Sequence, residues 1–123
     1  MINNPRDIKN FTASGAVAAK RIVALAAGGN VSQASAGTDN VIGVVELACE
    51  SGSRVDVVTG GITEVEAGGS ISCGNWVTAD SDGKAVAAEA ADEVLGKAMD
   101  DAAAGDYFPV RIAYGRAGSA DTP

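Results

Sequence analysis

The sequence predicts an all-β protein, a compact antiparallel barrel or sandwich of short strands, on three observations. The chain repeats itself. Val41-Ile42-Gly43, then Gly52, then Arg54-Val55-Asp56-Val57 recurs as Val94-Leu95-Gly96, Gly105 and Pro109-Val110-Arg111-Ile112, with both glycines offset by 53 residues. Sixteen glycines, with many Asn, Asp and Ser, punctuate the chain with turn signals. Between them lie short β-branched runs, several alternating with period two, as half-buried strands do.

Residues 1–14 read as an extended N-terminal arm. It is polar, stretched by Pro5, and carries the apolar residues Ile2, Ile8 and Phe11. Residues 15–116 read as one β domain, with repeat halves at about 15–66 and 67–116. Ala19 to Ala26 is alanine-rich, but its counterpart Gly74-Asn75-Trp76-Val77-Thr78 has no helical period, so a strand is expected there. Gly28-Gly29-Asn30 and Asp82-Gly83-Lys84 read as matching hairpin turns, returning into strands at Val31–Ala34 and Lys84–Ala87. Val41 to Cys49 is a dense β-branched run, and Arg54 to Val57 alternates. Gly60-Gly61 turns the chain into Ile62 to Ala67, where Ile62 and Val65 break strict alternation and predict a bulge or register change. Ile71 and Cys73 are expected on one face. Ala85 to Ala91 fits either a short helix or a strand. Val94 to Met99 and Tyr107 to Tyr114 close the pattern, and 117–123 is a small-residue tail expected to be flexible.

The chain carries a net charge of −7, unevenly spread. Arg6, Lys9, Lys20 and Arg21 against Asp7 make residues 1–23 +3, leaving −10 for the rest. Such an acidic body argues against a nucleic-acid partner. No stretch approaches the ~20 apolar residues of a bilayer span. The N-terminus lacks the apolar core of a signal peptide, so a soluble protein made in the cytoplasm is expected. With no histidine, the commonest general base is missing and Ser/His or Cys/His nucleophile pairs are excluded. Cys49 and Cys73 alone make no zinc site; two free, buried thiols are the favoured reading, with a disulfide as the alternative. The carboxylate pairs Asp92-Glu93, Asp100-Asp101 and Asp80/Asp82 fall in turns, where they cap backbone N–H groups. Asp80-Ser81-Asp82-Gly83 lacks the later ligands of a calcium loop, and no phosphate-binding glycine loop is present. Neither a cofactor nor catalysis is expected.

Several segments in order resemble a known family. Phe11-Thr12-Ala13-Ser14-Gly15-Ala16-Val17, Gly52-Ser53-Arg54-Val55-Asp56-Val57-Val58, Gly61-Ile62-Thr63-Glu64-Val65-Glu66-Ala67-Gly68-Gly69, Gly74-Asn75-Trp76-Val77-Thr78 and Ala102-Ala103-Ala104-Gly105-Asp106 are similar to segments of tailed-phage capsid decoration, or head-cement, proteins. The resemblance spans residues 8–116. It implies a virion protein on the outer surface of the expanded capsid, similar in role to the lambda head decoration protein. Its partners would be the major capsid protein and itself, as a homotrimer or a dimer. It also implies that the arm touches the capsid, through Ile2, Asn3, Pro5, Arg6, Ile8, Lys9 and Phe11. Trp76, Tyr107 and Phe108 are candidates for the oligomer interface because aromatics are enriched at interfaces; core filling is the other reading of Trp76.

Two further readings stay open. Ser81-Asp82-Gly83-Lys84 is similar to the hairpin of lipoyl carrier domains, although Gly83 displaces Lys84 from the tip, so a small β carrier or carbohydrate-binding module is one alternative. Another virion part, in the tail or a spike, is the other.

Overall fold

The computed structural model describes residues 7–37, 39–89 and 92–116. Its regular elements are ten strands and one short 3-10 turn, arranged as two antiparallel five-stranded sheets in a sandwich-like pair short of a closed barrel. The first sheet holds β1 (Asp7–Thr12), β2 (Arg21–Ala26), β3 (Asn30–Gln33), β4 (Val41–Val45) and β5 (Arg54–Gly60), in the order β1-β5-β4-β2-β3. The second holds β6 (Ile62–Glu66), β7 (Trp76–Ala79), β8 (Ala85–Ala87), β9 (Glu93–Ala98) and β10 (Tyr107–Arg116), in the order β6-β10-β9-β7-β8.

The two-fold repetition expected from the sequence is therefore present strand for strand, and it extends to register. Phe11 faces Val55 as Val65 faces Phe108; Val23 faces Gly43 as Val77 faces Gly96; Leu25 faces Val31 as Ala79 faces Ala85. Each sheet coils until its edges nearly meet. Ala13, just past β1, bridges Val31 in β3, and Ala67 bridges Ala85 in the same way. Gly43 and Gly96 sit where the backbone of a neighbouring strand comes very close. A Cβ on Gly43 would run into the Val58 carbonyl oxygen, and one on Gly96 into that of Arg111. These glycines repeat because the backbones approach too closely for any side chain.

The seam between the halves falls at Gly60–Gly61, where Gly61 takes a positive φ of 84°, six residues before the seam expected at 66–67. The reason is β1. The stretch Asp7–Thr12, expected within a separate arm, is the edge strand of the first sheet and the counterpart of β6. Residues 85–87 form strand rather than helix. The bulge expected near Ile62 is absent: β6 pairs with β10 without a break, and Thr63 rather than Ile62 joins Val65 in the interior. Cys49 is half-buried and Cys73 exposed, both as free thiols. Buried Ile71 pairs with Ala102, and the chain then turns outward, so Cys73 does not follow it inside.

Two apolar clusters form the core. One lies within the first sheet's coil and contains Val23, Val31, Val45, Val55 and Val57, with Ala13 and Val17. The larger holds the second sheet's counterparts, among them Val77, Ala85, Ala98, Phe108 and Val110, together with Ile22, Ala24, Ala34, Val41 and Val44 from the first half. Because successive strand residues point to opposite faces, β2 and β4 are buried on both sides: Val23 and Val45 pack within their own half, Ile22 and Val44 against the other.

Candidate functional site

Several aspartates accept from backbone N–H groups. Asp80 accepts from the backbone N–H groups of Asp82 and Lys84, Asp92 from Glu89, Asp106 from Ala103, and Asp101 from Cys73. Each satisfies donors that a tight turn leaves without a ladder partner. Among the described residues no group of three His, Cys, Asp or Glu side chains is placed to hold a metal ion. Among the same residues, no helix is long and apolar enough to cross a membrane.

Charge is concentrated at the seam between the halves. Glu66, on β6, accepts a hydrogen bond from the Arg21 guanidinium at 3.0 Å and has the Lys84 ammonium at 3.3 Å. The Arg21 hydrogen bond, aided by that of Lys84, holds the Glu66 pKa below its ordinary value of 4.5 against the opposing effect of burial. Arg21 and Gln33 also donate to the Asp82 carbonyl, and the Ile22 N–H donates to that of Gly83. Lys84 is thus a partner of Glu66 rather than a free hairpin tip.

The described surface carries few large apolar side chains, and two of them share one groove. Ile8 on β1 is 46% exposed and Leu47, just past β4, is 79% exposed. With Ala48 and Cys49 they line a shallow groove of about 340 Å³, rimmed by Asn10, Glu46, Arg54 and Asp56. Asn10 donates to Asp56 at 2.9 Å, and Arg54 donates to the Thr12 hydroxyl at 2.9 Å, tying the edge strand to β5 by side chains as well as by its ladder. Nothing in the spacing of Leu47 marks it in the sequence; an exposed leucine after a β-branched strand is its only signal.

Of the residues expected in the capsid-binding arm, Ile8 and Lys9 are exposed on β1, while Phe11 packs on the first core cluster. Ile2, Asn3, Pro5 and Arg6 lie outside the described residues. The three candidates for an oligomer contact are not brought together. Phe108 is 1% exposed and fills the second half's core, a place its counterpart Val55 takes in the first. It has no accessible surface to offer a partner. Tyr107, its neighbour on β10, points the other way and is 58% exposed. Trp76 is half-buried on the outer face of the second sheet, with the Lys97 ammonium 5.2 Å from its ring centroid.

Residues 4–113 match the sequence model of the phage cement proteins. The chain belongs to the phage cement protein family. Among solved structures, it is similar to the head fiber gp8.5 N base of bacteriophage phi29, with a TM-score of 0.71 at 22% identity, covering 94% of this chain and 100% of that one. At that identity the likeness concerns the fold. No curated protein matches the chain. The family gives a phage-head structural protein associated with the virion.

Proposed function

We propose that this protein binds the outer surface of the expanded phage capsid as a homotrimer and cements neighbouring capsid subunits. The observation that carries the reading is the edge of the first sheet along β1, ahead of Ala13 where the sheet coils back onto β3. Strand β1 is an edge strand, with a row of backbone groups on its outer side. Beside it lies the Ile8–Leu47 groove, which brings together two large exposed apolar side chains. Together they suit strand addition from a capsid subunit, with main-chain hydrogen bonds for affinity and the groove for a side chain of the added segment. Residues 1–6 precede that strand in the sequence and carry Ile2 and Arg6. Many copies on one shell then multiply a modest contact into a large collective stabilisation.

The test is co-sedimentation with expanded, undecorated heads. Replacing Ile8 and Leu47 together by Ser is expected to weaken binding by about tenfold or more, given ~1.4 kcal/mol per decade and the apolar area the two side chains present. Deleting residues 1–6 is expected to weaken it further. Full affinity in both variants would overturn this placement of the contact.

A further inference from the structure

The halves are alike, yet they do not touch each other in the same way. The first half presents β2, the turn preceding it and the end of β3: Lys20, Arg21, Ile22 and Gln33. To these the second presents elements that are not their counterparts, β6 and the β7–β8 turn: Glu64, Glu66, Asp82 and Gly83, while the counterpart strands β4 and β9 also meet in the core between the halves. The contact is heterologous, head against tail. Each half carries a version of both surfaces, so one head and one tail are left over. The open head is on the second half, where Gly74, Asn75 and Trp76 stand at the positions of Lys20, Arg21 and Ile22. The open tail is on the first half, where Thr12, Gly28 and Gly29 stand at those of Glu66, Asp82 and Gly83.

The open counterparts keep the backbone geometry of the joined ones. Lys20 takes a φ of 60° and offers its carbonyl to the Glu66 N–H; Gly74 takes 91° at the same position. Gly83, whose carbonyl receives the Ile22 N–H, has a φ of 74°, and Gly29 has 77°. Lys20 is the only non-glycine residue with positive φ among those described, and the free head keeps the same turn conformation at Gly74. The free head also carries the chain's one tryptophan, whose counterpart Ile22 is fully buried by the other half.

We propose that a second copy of this chain occupies the open head, its own open tail fitting against Trp76 as the second half fits against Ile22. The Trp76 N–H then meets the Gly29 carbonyl of the next copy, and the Thr12 N–H of that copy meets the Gly74 carbonyl. Head-to-tail contacts either close into rings or run on as filaments. In a trimer the same contact occurs six times around one ring, three times within chains and three times between them. This deepens the trimer reading above; it takes the Thr12 end of β1 and leaves Asp7 to Asn10 for the capsid contact.

Cross-linking in solution tests it without heads. Asn75 and Asn30 are the counterparts of Arg21 and Lys84, which grip Glu66 from two sides, so across the proposed contact they are neighbours. In a Cys49→Ser/Cys73→Ser background, Asn30→Cys with Asn75→Cys is expected to give covalent dimer and trimer with a short bismaleimide. Each single variant is expected to stay monomeric on a denaturing gel, and an equal mixture of the two to stop at dimer. Dimers from either single variant alone, or monomer from the double variant, would overturn the proposal. Trp76 supplies a second readout in the unaltered protein: on dilution through dissociation its emission is expected to shift to the red, and a dissociation that leaves the emission unmoved would also overturn it. Failure of head binding with the cross-links intact would count against the capsid contact alone.

Discussion

Changing Glu66 to Gln tests whether the seam is held by charge. Glu66 meets Arg21 at 3.0 Å and Lys84 at 3.3 Å, and the three side chains are between 17% and 28% exposed. A sheltered hydrogen bond to a charged group is worth about 1.5–3 kcal/mol, and a fully exposed ion pair about 0–1 kcal/mol. Two contacts at intermediate exposure come to about 2 kcal/mol. Arg21 raises the stake, because its Nε is buried without a partner and the guanidinium relies on Glu66 and the Asp82 carbonyl. For a chain of this size the loss corresponds to about 8 °C in Tm, at about 4 °C per kcal/mol. The pH dependence follows from the lowered pKa. A carboxylate whose folded-state pKa lies below its unfolded value contributes fully above the unfolded value, and the contribution disappears as pH falls through the folded one. Urea unfolding at pH 7 is therefore expected to separate wild type from Glu66→Gln by about 2 kcal/mol, and the gap is expected to close as the pH falls below 4.5. Glu64→Gln is the control: its Lys20 contact is 3.7 Å and its side chain 57% exposed, so less than about 0.5 kcal/mol is expected. Equal losses for the two variants at pH 7, or a gap unchanged in acid, would refute the reasoning.

Five other substitutions read different parts of the fold by the same unfolding measurement. Gly96→Ala is expected to cost about 3 kcal/mol, because the methyl meets the Arg111 carbonyl; Gly105→Ala, with a φ of 91° but open space around it, should cost only about 1 kcal/mol. Lys20→Gly is expected to stabilise the protein slightly, by about 0.5 kcal/mol, since relief of its left-handed conformation exceeds the loss of a weak ion pair. Phe108→Ala should cost about 3–5 kcal/mol, whereas Tyr107→Ala, one residue away on the exposed face, should stay under about 1 kcal/mol.

The repeat was legible because Gly43 and Gly96 mark places where no side chain fits, and such positions leave a fixed spacing in any sequence that duplicates them. Where β1 belonged was not legible. Its kinship with β6 rests on Ile8 with Ile62 and Phe11 with Val65, too few residues to stand out, and its basic neighbours set it apart from the acidic body. The aromatic residues divided for the same kind of reason: Tyr107 and Phe108 are adjacent and both bulky, and only the strand's alternation, once its pairing with β6 is known, sends one inward and the other out. Cys73 looked buried because Ile71 is, but the turn at Gly74 intervenes. The Glu66 cluster joins residues 45 and 18 positions apart in the chain, and no local pattern announces it.

The one-sided join between the halves sets an order on making the protein. Ribosomes deliver the first half first, and it emerges with Ile22 and Val44 uncovered, since their cover is built from residues beyond Gly61. The second half brings a polar edge of Glu64, Glu66 and Asp82 to the meeting. For the time it takes to synthesise β6 to β10, at about 5–20 residues per second, the nascent chain shows an apolar face suited to any tail that passes, including the finished tail of another copy.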